Sequence, residues 1–267
     1  MATPKAIILK EHGTNCELES KYAFEKAGGK ADIIHMEDLI RNKSKLFDYQ
    51  ILMFPGGFSY GDDIGSGMAW ANRIRNNLRD ELQRFTEDDH LVLGVCNGFQ
   101  VMANLGLLPA LNSHQNQQVA LTYNDSARYI DTWIDLKVDS YTPWLKDISR
   151  LSLPIAHVEG KFYADNKTLM RLNEKGMIAL RYFEGEIFDY HNGKEPSNPN
   201  GSLENIAGIT DETGRILGMM PHPERAIEFT QLPHWRSLGR KYKELDIKSP
   251  NIGPSLKIFQ NGVDYFE

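Results

Sequence analysis

Two cysteines in 267 residues, 80 positions apart, are too few to build a disulfide framework. No apolar run approaches the ~18–20 residues of a membrane-spanning helix. The opening segment, MATPKAIILKEHG, holds too short an apolar stretch for a secretory signal, so a cytoplasmic protein with no membrane contact is expected. Positive charge is not in excess: Lys+Arg number 30 against Asp+Glu 36, a formal net charge of −6, which leaves no electrostatic footprint for nucleic acid. There is no G-x-x-x-x-G-K-[ST] phosphate loop, no internal repeat and no low-complexity tract. What remains is ordinary globular composition, 41% hydrophobic and 25% charged, which excludes wholesale disorder. A chain of this length buries roughly three quarters of its unfolded surface and needs no staples.

The first half alternates strand-like and helix-like segments. Apolar runs at Ala6–Leu9, Ala31–Met36, Tyr49–Phe54 and Leu91–Val95 read as strands. Helices are expected from Cys16 to Ala27, N-capped by Asn15 and closed by Gly28-Gly29, from Met68 to Phe85, and from about Gly98 to Leu105. Continuous apolar strands between helices are what a parallel sheet covered on both faces requires. In the second half Val119–Tyr123, Thr132–Val138, Lys175–Tyr182, Asn205–Thr210 and Arg215–Met220 read as strands, the first two antiparallel. The stretch His191–Ser202 is rich in Asn, Pro and Gly and reads as a loop. Near the end, Leu256, Phe259, Val263 and Phe266 share one helical face, with Pro254 suited to its first turn. The expectation is an α/β fold with a doubly wound, mostly parallel sheet and additional antiparallel strands. It forms one domain, 1–267, with a polar C-terminal extension from about 228.

Three segments carry chemistry. In Gly94-Val95-Cys96-Asn97-Gly98-Phe99-Gln100 an apolar strand runs into a cysteine and then a helix. This is the strand–turn–helix arrangement of a nucleophile elbow with Cys in place of Ser. It exposes the thiol at the carboxyl edge of the sheet, where open α/β sheets bind ligands. A helix N-terminus favours an anion, and the thiolate is the reactive form. In Pro221-His222-Pro223-Glu224-Arg225, an extended backbone would point His222 and Glu224 the same way. An imidazole moves protons near neutrality and a carboxylate orients it. In Phe54-Pro55-Gly56-Gly57-Phe58-Ser59-Tyr60-Gly61-Asp62, paired glycines after a strand free backbone N–H groups for an oxyanion. Taken alone, the cysteine is equally a buried inert thiol, the H-x-E pair a solvated loop and the Gly-Gly a tight turn.

Together these segments resemble the class I, triad-type glutamine amidotransferases. Within them the nearer likeness is to the glutaminase components of phosphoribosylformylglycinamidine synthases. GTNCE, PGGFSYGDDIGSG, GVCNGFQ, PIAHVEGKF, NPNGS with IAGIT, and GRILGMMPHPERA keep chain order over more than four fifths of the sequence. The resemblance implies a flavodoxin-like sheet and a Cys96–His222–Glu224 triad. It also implies oxyanion donors at Gly57 and Asn97, and substrate contacts from Gln100 and Phe58. His157 and Glu159, in HVEG, are implied to bind the α-amino group of glutamine or to line a partner interface; a plain polar loop is as good a reading. Glutamine would be hydrolysed through a Cys96 thioester. The ammonia would pass to a synthetase partner that converts formylglycinamide ribonucleotide, with a small auxiliary subunit as a further partner. No cofactor is implied for this chain; ATP and Mg belong with the synthetase. Asp63 and GSGMAWAN are more like the fused, single-chain synthases.

Other readings differ in their marks. A hydrolase of similar fold would normally place His directly after the cysteine, where Asn97 stands. A non-catalytic module would be expected to have lost one of Cys96, His222 or Glu224. An amidotransferase feeding another synthetase would lack NPNGS and GGFSYGD. Cys16 reads as a structural residue at a helix start. Its spacing from His12 lacks the further ligands of a zinc site. The basic residues Arg236, Arg240, Lys241, Lys243 and Lys248 read as a solvated helix face.

Overall fold

A computed structural model describes residues 3–111, 116–190 and 193–267. The strands are β1 Lys5–Lys10, β2 Lys30–His35, β3 Ile51–Phe54, β4 Leu91–Val95, β5 Val119–Thr122, β6 Ile130–Val138, β7 Arg150–His157, β8 Lys161–Ala164, β9 Ile178–Phe183, β10 Ile206–Thr210 and β11 Ile216–Met219. The helices are α1 Glu17–Lys26, α2 Met36–Arg41, α3 Met68–Asn77, α4 Arg79–Glu87, α5 Asn97–Leu105, α6 Asn166–Glu174, α7 Glu186–Tyr190, α8 Trp235–Glu244 and α9 Leu256–Asp264.

Nine strands form one sheet in the order β2-β1-β3-β4-β11-β10-β9-β6-β7. From β2 to β11 the pairings are parallel; beyond β11 they are antiparallel. The parallel part has the 2-1-3-4-5 order of flavodoxin-like sheets, with its order reversal at β1 and β3. Strands β3, β4 and β11 are buried at every residue, as their unbroken apolar sequences require. Helix α1 packs with α9, and α3 with α5, supplying the cover. Phe24 of α1 meets Phe259 of α9 edge to face, ring centroids 5.0 Å apart. A separate two-stranded sheet pairs β5 with β8. No helix among the described residues is long and apolar enough to cross a membrane.

Several local expectations need correction. The span Met68–Phe85 is two helices, broken at Leu78 (φ −130°, ψ 14°). Asn76 and Asn77 favour an end there, and Asp80 and Glu81 suit a new helix N-terminus. Asn15 does not cap α1; Cys16 occupies the N-cap position. The Asn15 amide oxygen accepts instead from the Cys16 thiol at 3.1 Å, while the backbone N–H groups of both residues donate to the Gly56 carbonyl. Met36 begins α2 rather than ending β2, and α7 was not foreseen. Pro254 precedes the α9 N-cap, Ser255. Of the Asn- and Pro-rich stretch, His191 and Asn192 lie outside the described residues. Helix α8 buries none of its residues, as a solvated basic face would.

The sheet curls. Although β7 is the far edge strand, the His222 N–H, just past β11, donates to the β7 carbonyl of Pro154 at 2.9 Å. The antiparallel half thus folds back over the carboxyl ends of β4 and β11.

Candidate active site

Loops after β1, β3, β4 and β11 leave the same carboxyl edge of the parallel strands. Cys96 follows β4 with φ +52° and ψ −110°, outside the ordinary regions for a non-glycine residue. It serves as the α5 N-cap, and its own N–H donates to Met219 of β11 at 2.8 Å. The sharp turn exists because α5 lies directly on the sheet. A Cβ on Gly98 would overlap the Phe54 carbonyl of β3, and one on Gly218 of β11 would overlap the Phe99 ring. The Cys96 Sγ lies 3.7 Å from the Ala156 carbonyl of β7.

The oxyanion side is built from β3. Gly57 has φ +144°, and an added Cβ would stand 2.6 Å from Thr14 Cα, so only glycine fits. The β1–α1 loop braces this turn: Phe58 N–H donates to Gly13 at 2.9 Å and Tyr60 N–H to His12 at 2.8 Å. Among the described residues neither the Gly57 N–H nor the Asn97 N–H has an acceptor in the chain. The Asn97 side chain is committed elsewhere. Its oxygen accepts from Ser59 N–H at 3.2 Å, and its amino group donates to Asp62 at 3.2 Å and Gln100 at 2.9 Å.

His222 and Glu224 are both buried, with Nδ1 and Oε1 2.7 Å apart. The pairing does not come from a simple extended alternation. His222 is extended (φ −99°), and Pro223–Arg225 then form a 3-10 turn that brings Glu224 round to the ring. Burial opposes charge on His222, but the Glu224 carboxylate and the Cys96 thiolate outweigh it and raise its pKa well above the ordinary imidazole value. The Nε2 atom has no hydrogen-bond partner among the described residues.

Gly57, Phe58, Asp62, Cys96, Gln100, His157 and Glu159 line one cavity of about 250 Å³, with Tyr123 and Ser66 at its wall. The structure therefore brings together the sequence-predicted residues Gly57, Phe58, Cys96, Gln100, His157 and Glu159. The Glu159 contribution to the pocket frame is its carbonyl, which accepts from Gln100 at 2.5 Å. Asp62, the acidic end of PGGFSYGD, joins them, with no local signal in the sequence that sets it apart as a site residue. Burial raises its pKa, with the Glu159 charge adding to that, while the Gly67 N–H, Ser66 and Asn97 pull it down.

The NPNGS segment does not line the cavity. Asn200 is fully buried and donates to the Gly160 carbonyl at 2.9 Å, and Ser202 Oγ accepts from Phe162 N–H at 2.9 Å. It supports the HVEG segment from behind. Cys16 also has neighbours its sequence gave no sign of: Sγ lies 3.9 Å from His222 Nδ1 and accepts from Arg225 at 3.2 Å.

A family model for the CobB/CobQ-like glutamine amidotransferase domain matches residues 3–266. A Methanococcus maripaludis protein named phosphoribosylformylglycinamidine synthase subunit PurQ is 46% identical over 266 residues, covering 98% of this chain and 97% of the relative. A Dehalococcoides mccartyi protein of the same name is 39% identical, covering 99% and 98%. A chain of the structure of PurLQS from Thermotoga maritima superposes with a TM-score of 0.71 at 28% identity, over 100% of both chains. The match to the family model spans nearly all of the chain, and the chain accordingly belongs to the CobB/CobQ-like glutamine amidotransferases.

Proposed function

We propose that this chain is the glutaminase component of a phosphoribosylformylglycinamidine synthase, acting through Cys96, His222 and Glu224. The observation that carries the reading is the strained Cys96 turn beside the buried His222–Glu224 pair, within a chain whose relatives carry the PurQ name along their full length.

The Cys96 thiolate attacks the side-chain amide carbon of glutamine. Negative charge develops on the amide oxygen, and the free N–H groups of Gly57 and Asn97 receive it. Protonated His222 gives its proton to the amide nitrogen, the C–N bond breaks, and ammonia leaves a γ-glutamyl thioester. Neutral His222 then takes a proton from water. The resulting hydroxide attacks the thioester, the thiolate departs and glutamate is released. Glu224 holds the imidazole in orientation and stabilises its charged form. Asp62 and Glu159 supply negative charge for the substrate's α-ammonium group.

This half-reaction balances with water alone, so ATP and Mg are assigned to the synthetase partner, which would consume the ammonia in converting formylglycinamide ribonucleotide. A small auxiliary subunit would complete the assembly. Two free thiols suit a reducing, cytoplasmic setting. The test is Cys96→Ala in the assembled synthase. Glutamine-dependent product formation should vanish while ammonia-dependent formation persists. Retained glutamine use would overturn the assignment.

A further inference from the structure

A second cavity, of about 490 Å³, is larger than the one beside Cys96. It lies between α8, the turn at Phe229–Gln231, the start of α9 and β7, and Phe229, Leu232, Leu238, Tyr242, Ile252 and Pro254 line most of it. Helix α8 spans this space without filling it: Leu238 and Tyr242, one turn apart, are only half-buried. The chain that follows keeps further apolar groups close by. The Ile247 N–H donates to the Tyr242 carbonyl at 2.8 Å, and Leu245, Ile247 and Ile252 are 68%, 52% and 45% exposed. Exposed apolar side chains grouped round an open, apolar cavity mark a contact site.

The charge on this surface is one-sided. Arg236, Arg240, Lys241, Lys243 and Lys248 are all exposed and form no ion pair among the described residues. Only Glu244 and Asp246 oppose them on that stretch, in a chain whose net charge is −6. An occupant must therefore bring apolar side chains for the cavity and carboxylates for the cations. A nucleic acid brings phosphates but no apolar side chains. A second copy of this chain, paired symmetrically, would set cation against cation. An acidic protein segment with apolar anchors meets both demands.

The cavity is also bonded to the catalytic pair from behind. The Gly253 N–H, in its wall, donates to the Ile227 carbonyl at 2.7 Å, and the Ser255 hydroxyl donates to the Pro223 carbonyl at 2.9 Å. On the β7 side, Ser152 lines the cavity two residues before Pro154, which receives the His222 N–H. We propose that this cavity and the cationic face of α8 dock an acidic, apolar-anchored segment of the synthetase partner. The proposal rests on the function assigned above. The links to Pro223 and Pro154 favour that partner, because the ammonia it consumes depends on His222 and Glu224.

The test titrates the full chain into the synthetase, assembled with its small auxiliary subunit, by calorimetry at low and at physiological salt. Alkylation of Cys96 by diazo-oxo-norleucine, a glutamine analogue, is then followed at saturating synthetase. The parent's affinity should weaken as salt rises, because surface charges are screened. Arg240→Glu combined with Lys243→Glu should raise Kd about 10-fold or more and flatten that salt dependence. Ile252→Ser, which removes an apolar contact and no charge, should raise Kd about fivefold at either salt. In both variants alkylation at saturation should stay within about twofold of the parent. Parental affinity in both variants would overturn the inference. So would a short DNA duplex that binds the parent and not the charge-reversed variant, with synthetase binding untouched. A complex that forms and weakens as stated, but leaves Cys96 unlabelled, would refute the glutaminase reading and uphold the docking surface. A parent chain that forms no complex would refute the synthase reading, and this inference with it.

Discussion

His222 Nδ1 and Glu224 Oε1 stand 2.7 Å apart, with both side chains almost wholly removed from solvent. A buried ion pair loses most when one partner is neutralised, because the other charge is left unpaired. Glu224→Gln keeps the shape and removes the charge. The glutaminase rate should drop about 10²- to 10⁴-fold, with the circular dichroism spectrum unchanged. An unaltered rate would mean that Glu224 does not support the imidazole.

The two thiols should differ in reactivity. Burial pushes the Cys16 thiol up to about 11, against the opposing pull of His222 and Arg225. At pH 8 roughly one Cys16 in a thousand would be ionised. Iodoacetamide at that pH should label Cys96 well before Cys16, as read by peptide mass spectrometry. Faster labelling at Cys16 would contradict the assignment of the nucleophile.

The contact of α5 with β3 should be intolerant of a single methyl group. In Gly98→Ala the new Cβ meets main-chain atoms of Phe54, which cannot swing aside as a side chain would. We expect a loss of about 3 kcal/mol or more in urea unfolding, or no soluble protein. A variant of native stability would show that α5 can lift from the sheet without cost.

Acid should act through His157. Its folded pKa, about 4, lies below the ~6.5 of an unfolded histidine. Between these values the unfolded chain binds more protons, so stability falls as pH drops through this window, by about 3 kcal/mol for this one group. His222, shifted upward, has the opposite sign: its contribution is present below ~6.5 and is lost as pH rises through the raised value. Urea unfolding at pH 7 and pH 5 should show a smaller decline in His157→Leu than in the parent. Equal declines would place the acid sensitivity elsewhere.

The features legible in the sequence were those set by near neighbours. The apolar run ending at Val95, the cysteine and the glycine two residues on are a local mark of the strand–turn–helix, although the packing that sharpens it comes from β3 and β11. The same holds for β3 and its Gly-Gly, and for the face of α9, where Leu256, Phe259 and Val263 are buried as spaced. Less was legible where distant segments meet. Nothing local at Pro154 announces that it receives the His222 N–H, because that contact depends on the curl of the whole sheet. Asn15 had a good capping side chain, yet the bonds of Asn15 and Cys16 to Gly56 fixed the backbone differently. Asn200 read as loop composition; its burial under Gly160 follows only once β8 is in place.

The Cys96–His222 spacing is measured out by main-chain hydrogen bonding. Strands β4 and β11 are parallel neighbours with Gly94 opposite Gly218 and Val95 opposite Met219, and the Cys96 N–H bond to Met219 continues that ladder into the nucleophile. Cys96 thus follows the last rung directly, while His222 stands three residues past Met219 and is tied by its N–H to Pro154 of β7, so both reacting side chains sit on hydrogen-bonded main chain. A slip of one rung would move one group by about 3.3 Å along the other and turn its strand's side chains to the opposite face. The tolerance of the chemistry is therefore set by the backbone, and substitutions around the triad that leave these rungs paired should alter proton affinities long before they alter reach.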